Sequence, residues 1–390
     1  MAITKIDITM LEDVTGANNL VKLDSNAKIP ACSAAGLSVK PGPIKNASDP
    51  AIDSNKALGT EWLNSTSGEM YICTDATAGA NVWTNVGAGT GDIVPLPPVQ
   101  GYQYGFIGGG YVSAASNKIE RYSFASDGNA TDWADLTAAK QASCGGSSAT
   151  YGYMAGGYPP DGINTIEKFP FASQTNATDI ADLATALYSQ APAVSSTHNY
   201  TSGGAAVPVS NVIQKYATST DANATDVGDM LYSANYVGGC SSTTHGYTGG
   251  GGLAGAPWNA VDINKFSFSS DGNAVDHGDL TATSIHSYVG TSAESYGYFS
   301  VGYAPGSFNV VLKFAFSSNV TATDIGDLTV IRWYTCGGNS SATYGYNCGG
   351  HDGSAQRDII DKHSFTTDGS FTDVGNLTEI KKYTGGEASQ

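Results

Sequence analysis

The stretch GNATDWADL, Gly128 to Leu136, decides how the chain is read, because versions of it occur six times. NATDIADL returns at Asn176–Leu183, NATDVGDM at Asn223–Met230 and NAVDHGDL at Asn273–Leu280; TATDIGDL ends at Leu328 and SFTDVGNL at Leu377. The central aspartates Asp132, Asp179, Asp226, Asp276, Asp324 and Asp373 follow in steps of 47, 47, 50, 48 and 49 residues. Self-similarity at such a period marks a stack or ring of equivalent supersecondary units.

Each repeat holds four strand-like pieces. In the second they are the small-residue ASCGGSSA (142–149), the aromatic YGYMAGGY (151–158), the alternating NTIEKFPF (164–171) and the acidic NATDIADL (176–183). The alternating piece carries one basic residue in each repeat: Arg121, Lys168, Lys215, Lys265, Lys313 and Lys362. Gly pairs end strands where backbones approach closely, and the small-residue piece suits a crowded position near an axis. The expected fold is all-β, six four-stranded units arranged radially as a six-bladed β-propeller. A linear solenoid, with its shorter usual period and capping ends, is the competing arrangement.

YGYMAGGY, IEKFPF, TDIADL and the Trp133-x-x-Leu136 element resemble the kelch repeat: an aromatic strand ending in Gly-Gly, a second aromatic strand, then Trp-x-x-Leu. The resemblance spans roughly 101–390 and implies a kelch-like propeller, without a family function. The phase of the repeats is informative. The first lacks a small-residue strand, and KKYTGGEA (381–388) after the last acidic motif matches WYTCGGNSSA (333–342). Residues 381–388 are therefore expected to close the first sheet. PLPPVQ (95–100) competes for that place, but its prolines make a poor central strand.

Composition narrows the function classes. The net charge is -17 and the only arginines are Arg121, Arg332 and Arg357, so nucleic acid is not expected as a partner. No apolar run approaches a membrane span, so membrane insertion is not expected. The opening MAITKIDITMLEDV lacks the apolar core of a signal peptide, which points to synthesis in a cytoplasm. Cys32, Cys73, Cys144, Cys240, Cys336 and Cys348 show no disulfide or metal spacing and read as reduced thiols.

Paired aspartates such as Asp132/Asp135 and Asp179/Asp182 are the residue type of acid–base catalysis or cation binding. Six copies favour a structural role in Asx turns and strand-end caps, with the basic residue of each third strand reaching an Asp of its own or the next unit. DGNATD (127–132) and DGNAVD (271–276) alternate oxygens as a calcium loop does, but lack the Gly and the later Glu of an EF-hand. SDGNATDW (126–133) resembles the Asp box of sialidases with the wrong spacing, and three scattered arginines do not form a carboxylate clamp. His198, His245, His277, His286, His351 and His363 show no metal-ligand spacing. No catalytic motif is present, so no enzyme, cofactor or metal is expected.

The loops between second and third strands vary: YVSAASN (111–117), YPPDGIN (158–164), AAVPVSN (205–211), GGLAGAPWNAVD (251–262), YAPGSFN (303–309) and HDGSAQR (351–357). They share a face with the fourth-to-first connections, and variation on one face of a repeat protein marks a binding face. Tyr111, Tyr158, Trp258, Tyr303, Phe308, His351, Asp352 and Arg357 are its candidate ligand contacts; exposed aromatics beside polar groups suit carbohydrate. The alternative is that these rings merely cover sheet edges.

The first hundred residues differ in kind. Residues 1–57 precede a three-stranded meander over 58–88, with strands TEWLN, EMYICTD and NVWTNVG, and 89–100 read as a linker. NLVKLDSNAKIPA and GEMYICTDATAGANVWTNVG resemble N-terminal parts of bacteriophage tail fibre and virion appendage proteins. That resemblance implies attachment to other virion proteins through residues 1–90, often a homotrimer, and location in a virion after synthesis in the host bacterial cytoplasm. The combined expectation is a short fibre or tail-associated adhesin whose propeller recognises a host surface ligand, a glycan or other receptor. A glycan-degrading virion enzyme and a capsid or tail decoration protein without ligand are the rivals.

Overall fold

The structure is a computed structural model that describes residues 42–86, 100–101, 103–159, 161–206, 208–253, 261–281, 289–300, 309–333 and 336–388. The described residues are all-β, without a helix. None of them forms a helix long and apolar enough to cross a membrane. The chain divides into two compact units, Met1–Pro95 and Leu96–Gln390.

In the first unit, Glu61–Asn64, Met70–Asp75 and Val82–Asn85 form the antiparallel meander expected from their alternation. Trp62, Tyr71, Cys73 and Trp83 are its buried face, the two indoles packing edge to face at 5.8 Å. A fourth strand, Ile44–Asn46, joins Glu61–Asn64 in parallel. Trp62 Nε1 donates to Ser48 O (2.9 Å) and Trp83 Nε1 to Ala51 O (3.2 Å). The module therefore recruits residues 44–57, which the sequence reading placed in the preceding segment. Most of that segment, and the linker over 89–100 except Gln100, lie outside the described residues.

The second unit contains six four-stranded antiparallel sheets among the described residues. Sheet two is Cys144–Ser147, Tyr151–Ala155, Thr165–Pro170 and Thr178–Asp182. Sheets three to six begin at Ala191–Val194, Gly238–Ser241, Val289–Ser292 and Cys336–Ser340 and repeat the order. Sheet one takes its first strand from the other end of the chain. Gly385–Ala388 pairs with Tyr104–Gly108, followed by Ser116–Ser123 and Thr131–Lys140. Residues 381–384 lead into that strand. Gln100 and Gly101 instead touch sheets five and six, through Gln100 Nε2 to Ser292 O (3.1 Å) and Gly101 N to Ser340 O (2.8 Å).

The recurring NATD stretch welds one sheet to the next. Ala177 N donates to Asp135 O of the preceding sheet while Asn176 Oδ1 accepts from Asp135 N, a reciprocal pair that copies a strand ladder. Ala224, Ala274, Ala322 and Phe371 donate in the same way to Asp182, Asp229, Asp279 and Asp327, each at 2.8 Å. Ala130 of sheet one donates to Asn376 of sheet six, also at 2.8 Å.

First strands meet as well. Val194 N donates to Ser241 Oγ, Ser241 N to Ser292 Oγ and Ser292 N to Ser340 Oγ at 2.9–3.0 Å. Glycine is needed at these crossings: a Cβ on Gly290 would lie 1.9 Å from Gly239 O. The second strand's Tyr-Gly-Tyr has a different cause. A ring from the third strand lies across the Gly, and a Cβ on Gly152 would fall 2.4 Å from the Phe169 ring. Between sheets the core is aromatic, as where Phe106 meets Trp133, Phe169 and Phe171.

The residue before each third-strand base is fully buried and takes one of three forms. Glu120, Glu167 and Asp361 form buried ion pairs with Lys381, Lys140 and Arg332. Gln214 and Asn264 instead bond the backbone at Thr185 and Leu231. Leu312 is apolar. Lys381 and Arg332 come from the connection leading into their own sheet, and Lys140 from the end of the preceding sheet's fourth strand. Cys73, Cys144, Cys240 and Cys348 are buried.

Candidate functional site: a four-tyrosine pocket

The described connections from a fourth strand to the next first strand are built alike. Each bridges the start of a second-to-third-strand loop through the backbone. Gln141 pairs with Tyr158, Tyr188 with Ala205, Trp333 with His351 and Lys382 with Tyr111. Asn235 pairs with Gly252 in the same way, and the residues after Gln141, Tyr188, Asn235 and Lys382, namely Ala142, Ser189, Tyr236 and Tyr383, adopt a left-handed φ of 54–59°. That conformation is uncommon for non-glycine residues and is held here by neighbours. Ala142 N donates to Tyr383 O (2.7 Å), Ser189 N to Ala142 O (2.8 Å) and Tyr236 N to Ser189 O (3.0 Å). Four connections are thus strung together by their strained residues.

The belt gathers Tyr158, Tyr188, Tyr236 and Tyr383 around Gln141 and Ala142 in a pocket of about 200 Å3. Tyr158 and Tyr188 pack at 5.2 Å between ring centroids, and Tyr236 and Tyr383 at 6.2 Å. All four rings are half-buried. Gln141 Oε1 is buried with no hydrogen-bond partner among the described residues. Lys382 Nζ stands 5.1 Å from the Tyr383 ring and 5.7 Å from Tyr111, and burial lowers its pKa. The lining offers aromatic faces, phenol groups and a side-chain amide. This suits a neutral, hydroxyl-rich ligand with an apolar face.

Of the residues singled out by sequence, Tyr158 lies in this pocket. Tyr111 is next to it through Lys382. His351 packs against Trp333 at 5.6 Å and its Nδ1 accepts from Gly353 N. Asp352 and Arg357 pair with each other. Asp352 Oδ1 also accepts from Ala355 N and Ser354 N, which with Arg357 holds its carboxyl well below the usual range. These two side chains brace their own loop. Trp258, Tyr303 and Phe308 lie outside the described residues. Tyr188, Tyr236 and Tyr383 were missed; the available signal was a Tyr ahead of the small-residue strand in ALYSQ, ANYVGG and KKYTGG.

The repeated acids and bases divide their labour differently from the simplest sequence expectation. Asp226, Asp276, Asp324 and Asp373 form Asx turns, accepting from Gly228, Gly278, Gly326 and Gly375 at 2.8–3.2 Å. Asp132 lies 3.9 Å from Lys118, and Asp179 stands opposite Glu167 across the ladder. The partners of the third-strand bases lie five residues upstream of the central aspartates, on the next sheet. Lys168 pairs with Asp221 and Lys215 with Asp271 at 2.5 Å, Lys313 with Asp368 at 2.7 Å, and Lys362 with Asp127. Where that position is Gln174 or Asn319, the base turns to rings. Arg121 lies over Trp133 (3.9 Å) and Tyr104 (4.3 Å), and Lys265 over Tyr247 (5.8 Å). No group of three His, Cys, Asp or Glu among the described residues could hold a metal ion.

A scan against protein-family models finds none that matches the chain, and a search of curated proteins finds no match.

Proposed function

We propose that the second unit is a six-bladed, kelch-like β-propeller, and that the chain is a phage virion appendage whose propeller binds a host surface glycan at the four-tyrosine pocket. Support for the ring comes from the weld between Ala130 and Asn376, which joins sheet six to sheet one as the others are joined. A cavity shared by first strands of all six sheets, including Gly145, Pro192, Gly239, Gly290, Gly338 and Gly386, supports it further. The small N-terminal module, with the segments that resemble phage appendage proteins, supplies the anchor. Many copies on one particle would make weak single contacts additive.

The pocket is the observation that carries the binding role. Paired tyrosine faces bury the apolar side of a sugar ring, and their phenol groups bond its hydroxyls. The test is adsorption of purified protein to host cells or their isolated surface polysaccharide. Wild type binds and competes with phage, and Tyr188→Ala binds at least about tenfold more weakly. Equal binding by the variant sinks the assignment. Shortening of the polysaccharide chain during incubation favours the hydrolase rival.

A further inference from the structure

Tyr383, one ring of the tyrosine pocket, belongs to the segment 381–388, whose strand Gly385–Ala388 completes sheet one. That strand is attached differently from the other first strands. In sheets two to six, three residues join the first strand to the second, as Ser147 leads to Tyr151 and Val194 to His198. So short a tie keeps the two strands together at little loop-closure cost. Gly385–Ala388 has no such tie to Tyr104–Gly108, because the other five sheets lie between them in sequence. It can leave its place while every other strand keeps a partner.

The forces that hold it are limited. The strand is four residues long, and Gly385 and Gly386 have no side chains to bury. Just upstream, Gly350 N donates to Lys381 O and Tyr111 N to Lys382 O, each at 2.8 Å, and Lys381 is sealed against Glu120. A buried ion pair adds little net stability, because desolvation offsets most of the attraction. Tyr383 is held at a left-handed φ of 59°, which opposes docking. The segment therefore belongs to the low-stability end of the fold.

The pocket depends on it twice. Tyr383 supplies the ring that faces Tyr236 at 6.2 Å. Its carbonyl also accepts from Ala142 N, the first bond of the series that runs on through Ser189 to Tyr236. Undocking removes one wall and releases the residue on which the next connections are strung. We infer that residues 381–388 act as a strap whose docking completes the glycan site, so that ligand binding and strap docking are one coupled equilibrium. The undocked form has no complete site, and a bound glycan holds the strap in place. The inference rests on the glycan-binding reading above and adds how the site is assembled and what its occupation does to the fold.

The experiment is backbone hydrogen exchange of the full chain, read by mass spectrometry with and without isolated host surface polysaccharide. A ligand that binds only the docked form lowers the undocked population by a factor of 1 + [L]/Kd. Amides of Gly385–Ala388 are therefore expected to exchange about 100-fold more slowly at a ligand concentration of about 100 times Kd. Those of Val310–Ala315 in sheet five are expected to keep their rate, and Tyr188→Ala is expected to abolish the slowing. Tyr188-dependent binding that leaves exchange at 385–388 unchanged overturns the inference and leaves the glycan-binding reading standing. Equal slowing throughout the chain overturns it as well, because the linkage is then to global unfolding. If the polysaccharide does not bind, or slows 385–388 equally in Tyr188→Ala, reading and inference fall together.

Discussion

The backbone amide of Asn376 donates to the side-chain oxygen of Asn129, 3.0 Å away and 247 residues earlier in the chain. The same Asn-to-backbone bond joins Asn176 to Asp135, Asn223 to Asp182 and Asn273 to Asp229. What joins neighbouring repeats elsewhere therefore also joins the last repeat to the first. Asn129→Ala removes the acceptor and is expected to cost about 1 kcal/mol in urea unfolding. Deleting residues 385–390 strips the edge of Tyr104–Gly108 and is expected to give aggregation and loss of a cooperative transition. A truncated chain that melts like wild type would show that the last strand is dispensable.

The buried pair Lys140–Glu167, at 3.1 Å and almost without exposure, trades heavy desolvation for mutual attraction. Burial raises the Glu167 pKa and lowers that of Lys140, each opposed by the partner. Lys140→Met alone strands a buried carboxylate and is expected to cost about 3–5 kcal/mol. Lys140→Met with Glu167→Leu is expected to recover most of that, since sheet five already carries Leu312 at this position. Chemical denaturation of the two variants side by side tests it; a double variant as unstable as the single one contradicts it.

Asn319 occupies the place where four other repeats carry the aspartate that receives the preceding sheet's lysine. Asn319→Asp is expected to draw Lys265 into a fifth such pair. The gain is small, about 0–1 kcal/mol, because these pairs are half in water. It should be visible in thermal melts at low salt and vanish at high salt. A gain that persists at high salt would point to another cause.

His363 sits among Tyr298, Phe365 and Phe371 with its Nε2 3.2 Å from Thr291 Oγ1. Burial pushes its pKa down to about 4. A base depressed in the fold is protonated first in the unfolded chain. Its stability contribution is therefore complete above about pH 6.5 and declines, by up to about 3 kcal/mol, as pH falls towards 4. His198, His245, His277 and His351 are also lowered by burial and add to the trend in the same direction. His363→Phe puts in the ring found at Phe169, Phe266 and Phe314, each facing the equivalent glycine. It is expected to flatten the acid limb of stability against pH. An unchanged limb would remove His363 as its source.

The repeat, the four strands per unit and the origin of the first sheet's first strand were legible because they rest on periodicity and phase, which a sequence displays directly. The partners of the bases were not. Asp132 and Asp127 look equally suitable on paper, and only the packing of neighbouring sheets brings the upstream acid to the base. Glu120 and Arg121 are adjacent letters, yet a strand sends them to opposite faces, one sealed and one half-open. Tyr188, Tyr236 and Tyr383 escaped notice because loop variability drew attention to the second-to-third-strand loops, whereas these residues sit in connections of nearly constant form. Ile44–Asn46 is too short and too polar to announce a strand.

The proposed ring can be tested by one distance. Spin labels at Ser126 and Thr372, exposed positions near the outer strands of sheets one and six, should lie about as far apart as labels on two packed neighbours, whose backbones are about 10 Å apart. Six sheets stacked in an open row would separate them by about 50 Å. A short, narrow distribution in the full chain is the expected result. A distribution centred near the longer value would contradict the ring.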